Sequence, residues 1–201
     1  MNNVVVGMGE ALWDVLPEGK KIGGAPANFA YHVSQFGLTS CVVSAVGPDA
    51  LGKEIQENLT SKGLNHLIAE VPYPTGTVQV EIDQAGVPQY EIKENVAWDN
   101  IPYTAQLEAL AKRTQAVCFG SLAQRNVVSR ETINRFLDAM PQTEDSLVVF
   151  DVNLRQGFYN KEILCNSMRR CNILKINDEE LVTVSRMFGY PGIDLQDKCW
   201  I

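Results

Sequence analysis

A paired-glycine bend running into a proline-led helix, Gly23-Gly24-Ala25-Pro26-Ala27-Asn28, limits this chain more than any other stretch. Adjacent glycines let the backbone turn sharply and approach a ligand, because no Cβ stands in the way. Pro26 fits a first helical turn, where its missing N–H costs nothing. Asn28 then lies on the opening turn, with one amide acceptor and two amide donors beyond the helix start. Such a bend either binds the hydroxyls of a polar small molecule or is a plain strand-to-helix turn. The glycine pair alone favours the plain turn.

Around the bend the chain reads as α/β. Residues 3–8 and 40–46 are Val-rich runs expected as buried strands. Phe29, Ala30, Val33 and Phe36 recur at helical spacing over 26–36, and a second helix is expected over 49–62, ended by Gly63. Two strand–helix units in succession indicate a parallel sheet. Gly7-Met8-Gly9-Glu10 invites a dinucleotide reading, but the third glycine is missing and Trp13-Asp14-Val15-Leu16-Pro17 does not continue a helix. Instead residues 11–16 alternate as a strand, Pro17-Glu18-Gly19-Lys20 turns, and 20–22 return to the bend.

The rhythm then changes. Residues 75–82 alternate, Asp83-Gln84-Ala85-Gly86 turns, and 87–92 run back. A hairpin does not extend a parallel sheet, so with 11–22 it is expected to build a small separate one. After Trp98-Asp99-Asn100 the α/β order resumes, with helices over 104–113, 129–140, 161–170 and 177–187 and strands at 116–119, 147–150 and 173–176. Ser129 is expected to cap its helix. The last residues, 197–201, read as the start of another apolar strand.

Composition excludes several function classes. The 201 residues carry a net charge of −7 with no Lys/Arg block, which argues against nucleic acid or an anionic membrane as partner. Apolar runs such as Leu147-Val148-Val149-Phe150 are too short to span a bilayer, and Met1-Asn2-Asn3 lacks the basic start of a secretory signal. The five cysteines form no Cys-x-x-Cys pair and fit free thiols in a reducing, cytoplasmic setting. His32 and His66 have no second metal ligand at helical spacing.

Ligands of open α/β sheets bind beyond the carboxyl ends of the strands. Glu10, Ser121, Asp151, Asn153, Arg155 and Asn177 stand at such ends. Asp14 is read as a turn-proximal carboxylate or a ligand contact, and Arg155 as a partner of Asp151 or Glu10 or a ligand contact. Asn177 with Glu180 three positions on is a capping-box pattern that needs no further function.

Read together, Gly23 to Ala30, six more residues to Gly37 and nine more to Gly47 resemble the N-terminal signature of the ribokinase-like (PfkB-type) carbohydrate kinases. Gly47-Pro48-Asp49-Ala50-Leu51-Gly52 extends the likeness, which continues to about residues 175–180. The resemblance implies a ribokinase-like three-layer core with a parallel sheet and a small β lid, drawn from about 11–22 and 74–96, over a sugar site. It implies ATP and Mg²⁺ as cofactors, a sugar as the small-molecule partner, and pairing of two copies through the lid strands.

On this likeness Asp14, Gly23, Gly24, Asn28 and Arg155 bind the sugar, and Asn177 and Glu180 belong to a motif linked to Mg²⁺ and phosphate. The catalytic aspartate and its glycine-rich anion hole are expected beyond residue 201. The chain therefore reads as one incomplete kinase domain, 1–201, inactive alone and with apolar sheet surface bared. Tyr90-Glu91-Ile92-Lys93 and Ala97-Trp98-Asp99 resemble fructokinase-type members. Keto-deoxy-gluconate kinases, which tend to have an arginine where Ile92 stands, and ribokinases are the alternatives. A non-catalytic sugar-binding or interaction module is the competing class.

Overall fold

In the computed structural model, residues 4–82 and 88–190 are described. The expected turn at Asp83–Gly86, the strand start at 197–201, Cys199 and Met1–Asn3 lie outside them. The ten strands are β1 Val4–Met8, β2 Leu12–Leu16, β3 Gly19–Gly23, β4 Ser40–Val46, β5 Asn65–Glu70, β6 Thr77–Ile82, β7 Pro88–Ile92, β8 Thr114–Gly120, β9 Leu147–Asp151 and β10 Ile173–Lys175. Among the described residues six helices accompany them: α1 Ala25–Gln35, α2 Ala50–Ser61, α3 Ala105–Ala111, α4 Val127–Ala139, α5 Lys161–Arg170 and α6 Asp178–Phe188.

The main sheet runs β10-β9-β8-β1-β4-β5 and is parallel throughout. Alternation along β4 shows how it is covered. Cys41, Val43 and Ala45 face a large core with Leu107 of α3 and Ile133 and Phe136 of α4. Val42 and Val46 face the opposite side, against Ala27 and Ala30 of α1 and Ile55 and Leu59 of α2. A sheet buried on both faces explains why β4 is buried at every position and mostly apolar, with Ser40 and Ser44 the polar exceptions. Burial pushes the Cys41 and Cys118 thiols up to about 11 and about 12, so neither is a nucleophile.

The second sheet, β3-β2-β6-β7, joins two hairpins through a parallel β2–β6 pairing. Its root is tied to the main core by Asp49. That carboxylate caps α2 through Gly52 N at 2.8 Å and accepts from Thr75 N and Oγ1 at 2.9 and 2.7 Å. Burial would raise the Asp49 carboxyl, but the bonds from Thr75, Gly52 and Leu51 outweigh it and hold it below the usual range.

Three details differ from the sequence reading. The strand β5 had no expectation; Asn65-His66-Leu67-Ile68-Ala69-Glu70 is a half-covered edge strand in which apolar alternation is blurred. The chain also makes short 3₁₀ turns at Ala97–Asn100 and Leu122–Gln124. Ser129 is not a cap: α4 begins at Val127, and Asn126 accepts from Val128 N at 3.0 Å. Ser129 is buried, with Oγ accepting from Ile101 N and donating to Trp98 O, both at 2.8 Å.

This exchange of roles is measurable. Loss of an exposed cap costs about 1 kcal/mol, whereas orphaning a buried N–H costs about 1–3 kcal/mol. Ser129→Ala should therefore lower the urea midpoint more than Asn126→Ala does. Equal shifts would return Ser129 to the status of a helix-start residue.

Candidate functional site

The chain leaves β1 at Met8 and crosses the carboxyl edge of the sheet through Gly9 and Glu10. At this edge the strand order reverses, since β4 and β5 lie on one side of β1 and β8, β9 and β10 on the other. Helix α1 starts here on Gly24, which has no side chain to cap it. Glu10 does so instead, its Oε1 accepting from Ala25 N at 3.2 Å. Gly24 has φ 110, a conformation that side chains rarely adopt, and a Cβ there would overlap the Glu10 carbonyl oxygen. A Cβ on Gly23 would overlap the Asp14 carboxylate. Gly24 is thus required by backbone sterics, whereas a Cβ on Gly23 would displace only the Asp14 side chain.

Glu10 is 2% exposed, and its Oε2 has no hydrogen-bond partner among the described residues. Burial pushes the carboxyl up and the backbone N–H groups of Glu10 and Ala25 pull it back. The Asp151 charge raises it again and the Arg155 guanidinium lowers it, leaving the group at about 7. Asp14, half-buried on β2, is also raised by burial and eased by Arg155.

A cavity of about 610 Å³ opens above these groups, a size suited to a small polar molecule. Glu10, Asp14, Gly24, Asn28, Asn153, Arg155 and Gln156 supply its polar wall. Leu12, Val78, Ile92 and Leu122 supply the apolar part, and Tyr90, 57% exposed, stands at the rim. Strands β2, β6 and β7 cover the cavity, so the small sheet is its roof. Asp14 and Asn28 share this one space. Arg155 pairs with neither carboxylate offered for it: its Nη1 donates to Leu154 O at 2.9 Å, and Asp151 pairs with Lys175 at 2.8 Å. Ser121 is likewise occupied, donating to Val152 O at 2.7 Å.

Asn177 and Glu180 do not line the cavity. They form the reciprocal cap of α6, with Glu180 N donating to Asn177 Oδ1 at 2.9 Å and Asn177 N to Glu180 Oε2 at 3.1 Å. Glu180 Oε1 also accepts from Leu154 N at 2.9 Å, so the cap steadies the segment bearing Arg155. Among the described residues no cluster of three or more His, Cys, Asp or Glu could hold a metal ion. No helix among them is long and apolar enough to cross a membrane.

Sequence reasoning singled out Glu10 only as a strand-end residue, and missed Tyr90 and Gln156 as wall residues. The spacing of Leu12 with Asp14 and of Tyr90 with Ile92, alternate positions on one strand face, was the available signal.

Comparison with known proteins gives this geometry a context. The family described as pfkB family carbohydrate kinase matches residues 17–194. Over 171 residues the chain is 30% identical to an uncharacterized sugar kinase of Pyrococcus horikoshii, covering 81% of this chain and 54% of that protein. Over 190 residues it is 26% identical to a fructokinase of Escherichia coli, covering 89% and 61%. The chain thus spans little more than half the length of these curated relatives. The crystal structure of the Pyrococcus kinase in complex with ATP matches at TM-score 0.76 and 27% identity, covering 91% of this chain and 66% of that one. The fold of a fructokinase from Xylella fastidiosa matches at TM-score 0.83 and 19% identity, covering 100% and 67%.

The raised Glu10 carboxyl sets a pH dependence. A group ordinarily at 4.5 and held at about 7 in the fold binds its proton more tightly when folded. Its contribution is fully present below the unfolded value and is lost as pH rises through about 7. Glu10→Gln keeps the acceptor for Ala25 N and removes the titration. Between pH 5 and 8 the wild type should lose stability relative to the variant, by on the order of 2–3 kcal/mol. Parallel denaturation curves at both pH values would refute the shift.

Proposed function

The chain belongs to the pfkB family of carbohydrate kinases, and on that premise we propose that it carries the sugar-binding part of an ATP-dependent kinase, with fructose as the acceptor. The observation behind this reading is the shared cavity of Asp14, Asn28 and Arg155 beneath a roof of strands. Asp14 accepts hydrogen bonds from sugar hydroxyls, and an ionised acceptor makes these stronger than a neutral one. The Asn28 amide serves a neighbouring hydroxyl, Gly24 in the cavity wall lets the sugar approach the backbone, and Gly23 leaves room for the Asp14 carboxylate. Arg155 presents its planar fork to a carbonyl or ring oxygen. The small sheet acts as a lid that keeps competing water from the transfer.

In that reaction the γ-phosphoryl passes from ATP to a sugar hydroxyl. The bond to ADP breaks, a new P–O bond forms, and the hydroxyl proton goes to a base. No described residue is assigned as that base. ATP enters as its Mg²⁺ complex. The oxygens of Asn177 and Glu180 already accept backbone N–H groups, so their place in phosphate handling is through the α6 start and the Arg155 segment.

The cavity wall argues for a neutral sugar. Among the described residues Glu10 and Asp14 accompany a single arginine and no lysine lines the space, which disfavours a sugar phosphate. 2-Keto-3-deoxygluconate is the second reading, because the Arg155 guanidinium is exposed to the cavity and could pair with a carboxylate. Lid pairing between two copies would use the β3 edge, where Lys20 and Lys21 would have to be accommodated.

Calorimetric titration of the 201-residue chain with fructose, fructose 6-phosphate and 2-keto-3-deoxygluconate tests the reading. Fructose should bind, and Asp14→Asn should weaken it about 10–100-fold, as for a lost charged hydrogen bond, without lowering Tm. Tighter binding of either anionic sugar would displace fructose. A coupled ADP-release assay on this chain should stay at background; turnover would show that the base lies within it.

A further inference from the structure

A second, smaller cavity of about 220 Å³ has Arg125 in its wall. This arginine has almost no access to water: its side chain is 7% exposed, and that of its partner Asp99 is 2%. Nε and Nη2 donate to the two Asp99 oxygens at 2.7 and 2.9 Å, and Nη2 also to Lys93 O at 2.6 Å. The guanidinium is sandwiched between two rings, 4.1 Å from the Trp98 centroid and 4.5 Å from that of Phe158. A buried ion pair is weak evidence for stability, since desolvation offsets most of the attraction. Its better-attested use is to fix one arrangement of parts.

The parts are identifiable. Lys93 directly follows β7, and its N donates to Thr77 O at 3.2 Å, joining the two feet of the β6–β7 hairpin. Gly76, just before β6, packs so closely on Trp98 that a Cβ would overlap the indole. Both feet therefore bear on the Trp98–Asp99–Arg125 cluster. The outer ring, Phe158, belongs to the segment after β9 that carries Arg155, and Phe158 N donates to Arg155 O at 3.1 Å. This segment touches the hairpin a second time, where Gln156 Nε2 donates to Tyr90 O at 2.7 Å. Gln156 has φ 48, a conformation that a residue of its kind holds where surroundings over-determine it, whereas Asn153 at φ 39 adopts it readily.

We propose that Arg125 is a positioning residue that locks the β6–β7 hairpin and the Arg155 segment to each other, so that the roof of the sugar cavity and its arginine move as one body. The value of this for catalysis rests on the function proposed above; the mechanical coupling does not. A sugar engaging Arg155 thereby biases the roof toward closure, because the two share one equilibrium.

Hydrogen exchange read by mass spectrometry on the ligand-free 201-residue chain tests the coupling. Phe158→Leu removes one ring and leaves the ion pair; Arg125→Lys keeps the charge and loses the fork. In both, amides of 77–79, 90–93 and 153–160 should exchange faster together, by ~10-fold, with β5 unchanged. Faster exchange confined to 153–160 would overturn the proposal, and so would an equal rise in β5, which would make the cluster ordinary core. Should Arg125→Lys fail to fold, Phe158→Leu alone decides. With fructose added, wild type should gain protection in the hairpin and Phe158→Leu should not. If fructose protects nothing in the wild type, the substrate reading fails while the ligand-free result still judges the coupling.

Discussion

Helix α1 begins on a residue that cannot cap it, and a buried carboxylate from across the bend fills that place. Everything near the cavity follows from this substitution. Because Gly24 has no side chain, its backbone can press against the Glu10 carbonyl, and Glu10 Oε1 can reach Ala25 N. The positive end of the helix favours an anion there, whereas burial and Asp151 oppose one. The bend is thus held by a group of divided preference, placed beneath the space where Asp14, Asn28 and Arg155 meet.

The main architecture was legible because each of its parts carries its own local signal. The run 40–46 is apolar at five of seven positions, as a doubly covered strand favours, and α5 starts at Lys161 behind the cap of Asn160. Where local signals compete, reading failed. Ser129 is expected as a cap, but its hydroxyl is taken up by Ile101 and Trp98, and Asn126 caps α4 instead. The strand at Asn65–Glu70 owes its state to pairing with β4, a non-local fact. Its side chains, half covered on an edge, show no clean period.

The cavity was partly legible for a similar reason. Asp14 and Asn28 flank the bend in sequence, so a motif can bring them together. Tyr90, Gln156 and Glu10 reach the same space through pairings between distant segments, which no local pattern encodes. Asn177 and Glu180 illustrate a third case. Their reciprocal cap is real, and the other Glu180 oxygen reaches Leu154 N, so one side chain both starts α6 and steadies the segment bearing Arg155.

The double duty of Asp49 has a wider implication. One carboxylate starts α2 and also anchors Thr75 at the root of the small sheet. The loop after β4 and the covering hairpin are therefore not interchangeable modules. Anyone grafting a different hairpin onto this scaffold, to admit a bulkier guest, would need to carry a hydroxyl residue at that root or redesign the α2 start with it.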